Sequence, residues 1–281
     1  MNYSKKFIVE PGSNVSLNNF DTKFAKKHGK KKSSKKKTGK LKEKMHELQY
    51  RLFAEHKHSL LIVLQAPDAG GKDGFVRHVI ISMNPQGCRV VGFKEPTPEE
   101  LTHDFLWRIE RQVPKPGEVV VFNRSHYEDV LIVRVHNLVP KKVWSKRYEQ
   151  INEFEQHLIA NDTHILKFFL HISKEEQLQR FKKRLNDPTK RWKISEADYT
   201  EREYWERYET AYEDALSKCS TKEAPWFVIP SDQKWFRNLA ISQIIVETMK
   251  KLHIEFPEPK VNIEDIRRKY HKAVRVGKKT E

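Results

Sequence analysis

Apolar residues gather in five short runs along the chain: Leu60 to Ala66, Arg89 to Phe93, Glu118 to Asn123, His164 to Ile172 and Trp226 to Pro230. Their length and β-branched content predict strands. Between them the apolar positions switch to helical spacing. Leu41, Met45, Leu48, Leu52 and Phe53 form one stripe over about 41–56, and Trp144, Ile151, Phe154 and Leu158 form another within about 140–160. Thr97-Pro98-Glu99-Glu100 reads as a capped helix start for a helix ending before Pro114. Ser173-Lys174-Glu175-Glu176 is a capping-box start, with Ser195-Glu196-Ala197-Asp198 a weaker relative. A last long helix follows Ser231-Asp232 and reaches about Leu252. Strands alternating with helices call for an α/β fold, a parallel sheet of about five strands between helical layers. Ligands in such sheets bind beyond the carboxyl ends of the strands.

Composition changes this picture mainly at the ends. The chain has 281 residues and a net charge of +16. Residues 23–44 hold twelve lysines against Glu43 alone, and residues 260–281 hold eight basic residues against three acids, whereas residues 45–259 are balanced. Residues 1–40 are therefore expected to be a basic, disordered arm, 41–256 the folded domain, and 257–281 a basic tail. The arm is either a solvated tail or an electrostatic device for capturing polyanions. The longest aliphatic run, Leu60 to Leu64, is too short for a membrane span or a signal peptide. Cys88 and Cys219 make no disulfide framework; a cytoplasmic protein with no membrane partner is expected.

Three stretches carry candidate chemistry. "LQAPDAGGKDGFVRH", residues 64–78, lies between the first strand and a helix and nearly spells a phosphate loop. Gly70, Gly71 and Gly74 give backbone freedom, the amides from Ala69 onward attract phosphate oxygens, and Lys72 adds charge. Asp73 stands where a hydroxyl is expected and either caps the helix or holds metal. Asp68, inside the loop, would repel phosphate unless a cation intervenes, which suggests a magnesium ion shared with a transferring group; a turn aspartate is the plain alternative. The second stretch, "VVVFNRSHYEDVLIVRVH", residues 119–136, ends a strand with Asn123-Arg124 and then offers Glu128 and Asp129 as oxygen ligands for metal. Arg134 could reach phosphate or pair with one of these acids, and His126 reads as structural. In the third, about 186–205, Lys190, Arg191 and Lys193 around Trp192 suggest a lid, with a charged connector as the alternative.

With these stretches in view the sequence resembles the type 2 polyphosphate kinases. The matching wording is Asp68-Ala69-Gly70-Gly71-Lys72-Asp73-Gly74, Asn84-Pro85-Gln86-Gly87, Phe93-Lys94 with Pro96, His103-Asp104-Phe105-Leu106-Trp107-Arg108, Phe122-Asn123-Arg124-Ser125-His126-Tyr127-Glu128, Arg191-Trp192-Lys193 and Ala224-Pro225-Trp226-Phe227-Val228-Ile229-Pro230. The resemblance, from about Leu41 to Leu252, implies a P-loop kinase core with a helical lid. It also implies magnesium-assisted transfer of phosphate between inorganic polyphosphate and AMP, ADP or ATP, and a homo-oligomer. Asp68 and Lys72 map onto the family's catalytic pair, and Asn123, Arg124 and Glu128 onto its second motif. Asn123 stands where many members have aspartate; the wording around it is similar to the third class, whose members use both AMP and ADP. Lys94 and Arg108 are candidate nucleotide-phosphate clamps, Arg108 alternatively pairing with Asp104. An ATP-dependent nucleoside monophosphate kinase and a non-enzymatic polyanion binder are the rival readings; nucleic acid is not required. Removing residues 1–40 is expected to spare the chemistry.

Overall fold

The computed structural model of the chain describes residues 1–25 and 30–277. Five strands, β1 (Ser59–Gln65), β2 (Cys88–Gly92), β3 (Val119–Asn123), β4 (Thr163–His171) and β5 (Trp226–Pro230), form one parallel sheet in the order β2-β3-β1-β4-β5. Each lies within a residue of its expected position. Numbering only the helices of seven residues or more, α1 is Lys31–Glu55, α2 Lys72–His78, α3 Arg147–Ala160, α4 Lys174–Asn186, α5 Glu196–Glu203, α6 Trp205–Lys218, α7 Lys234–Lys251 and α8 Ile263–Gly277. This is the expected α/β architecture.

The strands are apolar because both faces of the sheet are covered. Leu60, Ile62 and Leu64 of β1 enter a core with α1, α2 and α7; Leu61 and Val63 enter the opposite core with α3 and α6. Alternation along the strand sends successive side chains to opposite faces, so a sheet covered twice needs apolar residues at every position. Central β1 has β3 on one side, with Leu64 opposite Asn123, and β4 on the other, with Gln65 opposite Phe169. The loops after β1 and β3 therefore emerge side by side.

Two expectations are corrected. The described part of residues 1–40 packs on the domain. A short helix, Tyr3–Phe7, is followed by Ile8 bridging to Phe227 and by the Val9 amide donating to the Trp226 carbonyl at 2.8 Å. Phe7, Val9, Val15, Leu17 and Phe24 are buried. The lysine-rich stretch from Lys31 onward is the first half of α1, whose Met45, Leu48 and Leu52 are buried against the core; residues 26–29 lie outside the described residues. The helix expected from Thr97 to Pro114 is broken into a 3-10 turn, Glu100–Thr102, and a short helix, Trp107–Glu110. Its start was still legible: the Glu100 amide donates to Thr97 Oγ1 and the Thr97 amide to Glu100 Oε2. The basic tail contains α8. No described helix is long and apolar enough to cross a membrane.

Candidate active site

The turn after β1 is built by backbone conformations that few residues adopt. Ala69 (φ 57°) and Gly71 (φ 113°) are left-handed, and the Gly70 amide donates to the Pro67 carbonyl at 3.0 Å. Gly70 has no room for a side chain, since a Cβ there would lie 2.5 Å from the Ala66 Cβ. At the neighbouring strand end Arg124 is also left-handed (φ 65°), and its amide donates to the Leu64 carbonyl at 3.1 Å. A left-handed arginine is held only where its surroundings over-determine it. Here they do: Ser125 Oγ accepts from the Tyr127 amide and from Gln65 Nε2, which ties the β3 turn to the end of β1.

Beneath that turn lies a buried charge network. Lys167 Nζ donates to the Glu155 carboxylate, the Tyr127 hydroxyl and the Cys219 carbonyl, and Glu155 also engages His126 Nε2 at 3.2 Å and the Tyr127 hydroxyl at 2.9 Å. Burial holds the His126 imidazole below its ordinary pKa, against the pull of Glu155. His126 thus has the structural place expected of it, fully buried and engaged by Glu155. Lys167 and Glu155 had no sequence signal beyond a charged residue inside each apolar pattern.

Two carboxylates and two cations converge above the turn. Arg124 Nη2 donates to Asp68 Oδ1 at 3.3 Å. Burial lowers the Lys72 ammonium pKa, opposed by Asp68, Glu128 and Asp73, and the same ammonium donates to the Ala66 carbonyl at 2.6 Å. Burial raises the Glu128 carboxyl, opposed by Arg124 and Lys72. Asp68, Arg124 and Glu128 line a cavity of about 530 Å³ whose far wall comes from Phe169, Trp205, Tyr208 and Tyr212 and from Leu17 of the N-terminal segment. Asp73 does not cap its helix. Its carboxylate accepts from Asn123 Nδ2 at 2.9 Å and from Lys193 Nζ at 3.2 Å, bonds that lower its pKa against the effect of burial. Lys193 thereby ties the segment after α4 to the loop, with Trp192 beside it 77% exposed.

Other candidates are placed elsewhere. Asp129 is held by Arg147 (Nη1 to Oδ1 2.8 Å) and does not line the cavity; burial pushes its carboxyl up to about 6. Arg134 reaches neither phosphate loop nor the adjacent acids: Nη1 donates to Asp214 Oδ2 at 2.6 Å and to the Tyr148 hydroxyl at 2.9 Å. Arg108, the candidate phosphate clamp, is 8% exposed and outside the cavity lining; it donates to the Lys94 carbonyl at 2.8 Å and faces Glu100 at 3.5 Å, not the alternative partner Asp104. Lys94 is exposed and outside the cavity lining. Lys190 pairs with Asp187, and Arg191 Nε donates to the Leu185 carbonyl.

The loop is also supported from α4, by residues outside the three candidate stretches of the sequence. Gln177 Nε2 donates to the Asp68 carbonyl at 2.9 Å, and Arg180 Nη1 to the Ala69 and Gly70 carbonyls at 2.8 and 2.9 Å. Their signal was present: Gln177, Arg180 and Arg184 share the helical face of buried Phe181, where apolar residues belong.

The fit of a divalent ion follows from these donors. Among the described residues no three metal-ligating side chains come together. Asp68 and Glu128 can supply two carboxylates, which suits magnesium of the kind that takes its other ligands from substrate phosphates and water. Asp129 drops out of that set because Arg147 holds it.

His171 lines the same cavity, with Nδ1 unpartnered, and burial drives its pKa down to about 4 against the pull of Asp232. Unfolded histidine titrates near ~6.5, so between these values the unfolded chain takes a proton that the folded one refuses. Stability present above about pH 6.5 is therefore lost as the pH falls through that window, by about 2.5 kcal/mol at about pH 4.5. Urea midpoints across this range should show the loss, and His171→Gln should flatten it; an unchanged slope would exclude His171 as its source.

A glycine turn after β1 and a cationic strand end after β3, side by side at the carboxyl edge of a parallel sheet, with Lys193 reaching the turn through Asp73, define an α/β protein with a phosphate-loop site. The model of the family Polyphosphate kinase 2 (PPK2) matches residues 28–257. The chain is 49% identical over 263 residues, 93% of its length and 98% of the other's, to a Meiothermus ruber protein named AMP/ADP-polyphosphate phosphotransferase. It is 46% identical over 91% of its length and 92% of the other's to an ADP-polyphosphate phosphotransferase of Rhodopseudomonas palustris. The crystal structure of Polyphosphate Kinase 2 from Arthrobacter aurescens TC1 superposes with a TM-score of 0.93, at 41% identity over 97% of both chains. The chain belongs to the polyphosphate kinase 2 family.

Proposed function

We propose that the protein transfers a phosphoryl group between inorganic polyphosphate and nucleotides, making ATP from ADP and ADP from AMP, in a reversible reaction. The observation that carries this reading is the convergence of Asp68, Lys72, Arg124 and Glu128 at the glycine turn, together with the chain's family membership. In the forward direction a terminal phosphate oxygen of the nucleotide attacks the end phosphorus of polyphosphate. A new phosphorus–oxygen bond forms, the bridging bond behind it breaks, and its electron pair leaves on the shortened chain. The attacking oxygen is already anionic at neutral pH, so no side-chain base is required to activate it. The obstacle is repulsion between two polyanions, and catalysis of such transfers rests on positioning and charge neutralisation.

Lys72, Arg124 and the amides of Ala69 to Gly74 hold phosphate in this scheme. Magnesium, held by Asp68 and Glu128, would neutralise oxygens of both substrates. The aromatic wall of Trp205, Tyr208 and Tyr212 suits a nucleotide base. Lys193 closes the lid over the loop through Asp73. The exposed lysines of α1 offer long chains a sequence-independent basic surface, and assembly into homo-oligomers belongs to the same proposal.

The discriminating test supplies magnesium, polyphosphate and ADP or AMP with no other triphosphate. The proposed reaction yields ATP and ADP respectively. An ATP-dependent monophosphate kinase would be silent with polyphosphate and active only with ATP plus AMP; a simple polyanion binder would make no product under either condition.

A further inference from the structure

Beneath the glycine turn a buried cation lacks a counter-charge. Arg237, from α7, is 1% exposed. Its Nε and Nη2 both donate to Asn238 Oδ1, at 3.1 and 2.8 Å, while Nη1 has no hydrogen-bond partner and the guanidinium forms no ion pair among the described residues. That unpartnered nitrogen is aimed at the loop. A Cβ on Gly71 would lie 1.9 Å from it, and one on Gly74 would lie 3.3 Å from Nη2, so glycine at these positions is what lets the guanidinium approach the loop backbone. The neighbouring charge is another cation: Arg180 Nη1 would lie 3.5 Å from the same Gly71 Cβ. Arg180 is accounted for, since it pairs with Glu176 at 2.9 Å and donates to the Ala69, Gly70 and Ser231 carbonyls. Arg237 is not. Burial, then Arg180, drives its pKa down to about 9, which still leaves it charged at neutral pH.

An unpaired buried charge is costly to a fold and is retained where something else requires it. We propose that Arg237 is a positioning residue for the phosphoryl donor, a cation whose counter-charge is the phosphate held on the other side of the glycine turn. It acts through the loop rather than by touching substrate, and in the low-dielectric interior its field reaches across that single layer of backbone. This inference rests on the phosphotransfer reading and assigns the donor's hold on the protein partly to a residue about 165 positions beyond the loop, outside every motif of the sequence.

The test uses Arg237→Met and Arg237→Lys in the full chain. Calorimetry with inorganic tripolyphosphate measures donor binding without metal or turnover, and the thermal midpoint without ligand measures the fold. Removing an uncompensated charge should leave the unliganded midpoint of Arg237→Met level or higher. Tripolyphosphate affinity should fall about tenfold or more, a loss of ~1.4 kcal/mol. Arg237→Lys should restore part of that affinity, and KM for polyphosphate should rise by more than kcat falls. Unchanged affinity in a folded Arg237→Met variant would overturn the inference. So would failure of that variant to fold, because the charge would then be supporting the loop mechanically. Wild-type protein that transfers phosphate from polyphosphate while Arg237→Met binds as tightly sinks this inference alone; wild-type protein with no transfer at all sinks the phosphotransfer reading beneath it.

Discussion

Lys72→Ala is expected to lower the rate of phosphoryl transfer from polyphosphate by about 10²- to 10³-fold, the usual consequence of removing one donor that stabilises transition-state charge. The ammonium donates to the Ala66 carbonyl at 2.6 Å, and burial lowers its pKa against the pull of Asp68, Glu128 and Asp73. Lys72 is half-buried and, among the described residues, holds a single hydrogen bond, to the Ala66 carbonyl, so the unliganded fold should lose about 1 kcal/mol when it goes. Asp68→Asn is expected to match it in rate, because the carboxylate then neither orients Arg124 (3.3 Å) nor holds a cation. Steady-state turnover and thermal midpoints for both variants check the pair. Near-normal turnover in either, with the fold intact, would remove that residue from the chemistry.

The second large effect falls on the N-terminal segment. Deleting residues 1–25 should leave a chain that does not fold stably. Phe7 stacks on Tyr3 (5.8 Å between centroids) and meets Phe24 and Phe236 edge-on at 5.3 and 5.9 Å, so the segment completes the core above α7. Burying each large apolar side chain contributes about 1.5–3 kcal/mol. Five of them, Phe7, Val9, Val15, Leu17 and Phe24, rival the whole stability of about 5–15 kcal/mol typical of a domain. Phe7→Ala alone should cost about 3–5 kcal/mol. Denaturant midpoints of the substitution and the truncation measure both. A truncated protein with native midpoint and activity would restore the expectation that this segment is dispensable.

What separates legible from illegible here is the range over which a residue finds its partner. The strands and the glycine loop could be read because their determinants are local: apolar runs for a sheet covered on both faces, Gly70 and Gly71 for a turn, Lys72 at the helix that follows. Asn123, Arg124 and Glu128 could be placed at the site because β3 pairs with β1 in the register that a parallel sheet imposes. Arg134 could not, since its partner Asp214 is 80 residues away, and Asp129 could not, since the apolar stripe of α3 shows that the helix packs but not that Arg147 at its start faces Asp129. The N-terminal segment failed for another reason. Its apolar residues follow neither a strand nor a helix period, because Phe7 and Phe24 join the core on one face of the sheet while Val9, Val15 and Leu17 join the core on the other, and the Val9 amide finds its partner on β5. In α1 a dense lysine run suggested disorder by self-repulsion. Packing of Met45, Leu48 and Leu52 against α7 fixes the second half of the same helix and extends it back through the lysines.

The central claim is that the loop after β1 and the strand end after β3 pass a phosphoryl group from polyphosphate directly to a nucleotide. Polyphosphate carrying a radioactive terminal phosphate, incubated with magnesium and unlabelled ADP, tests it in one measurement. The account predicts label in the terminal phosphate of ATP with wild-type protein and about 10²-fold or more slower labelling with Asp68→Asn. Label appearing as free phosphate, or entering ATP equally fast with both proteins, would contradict it.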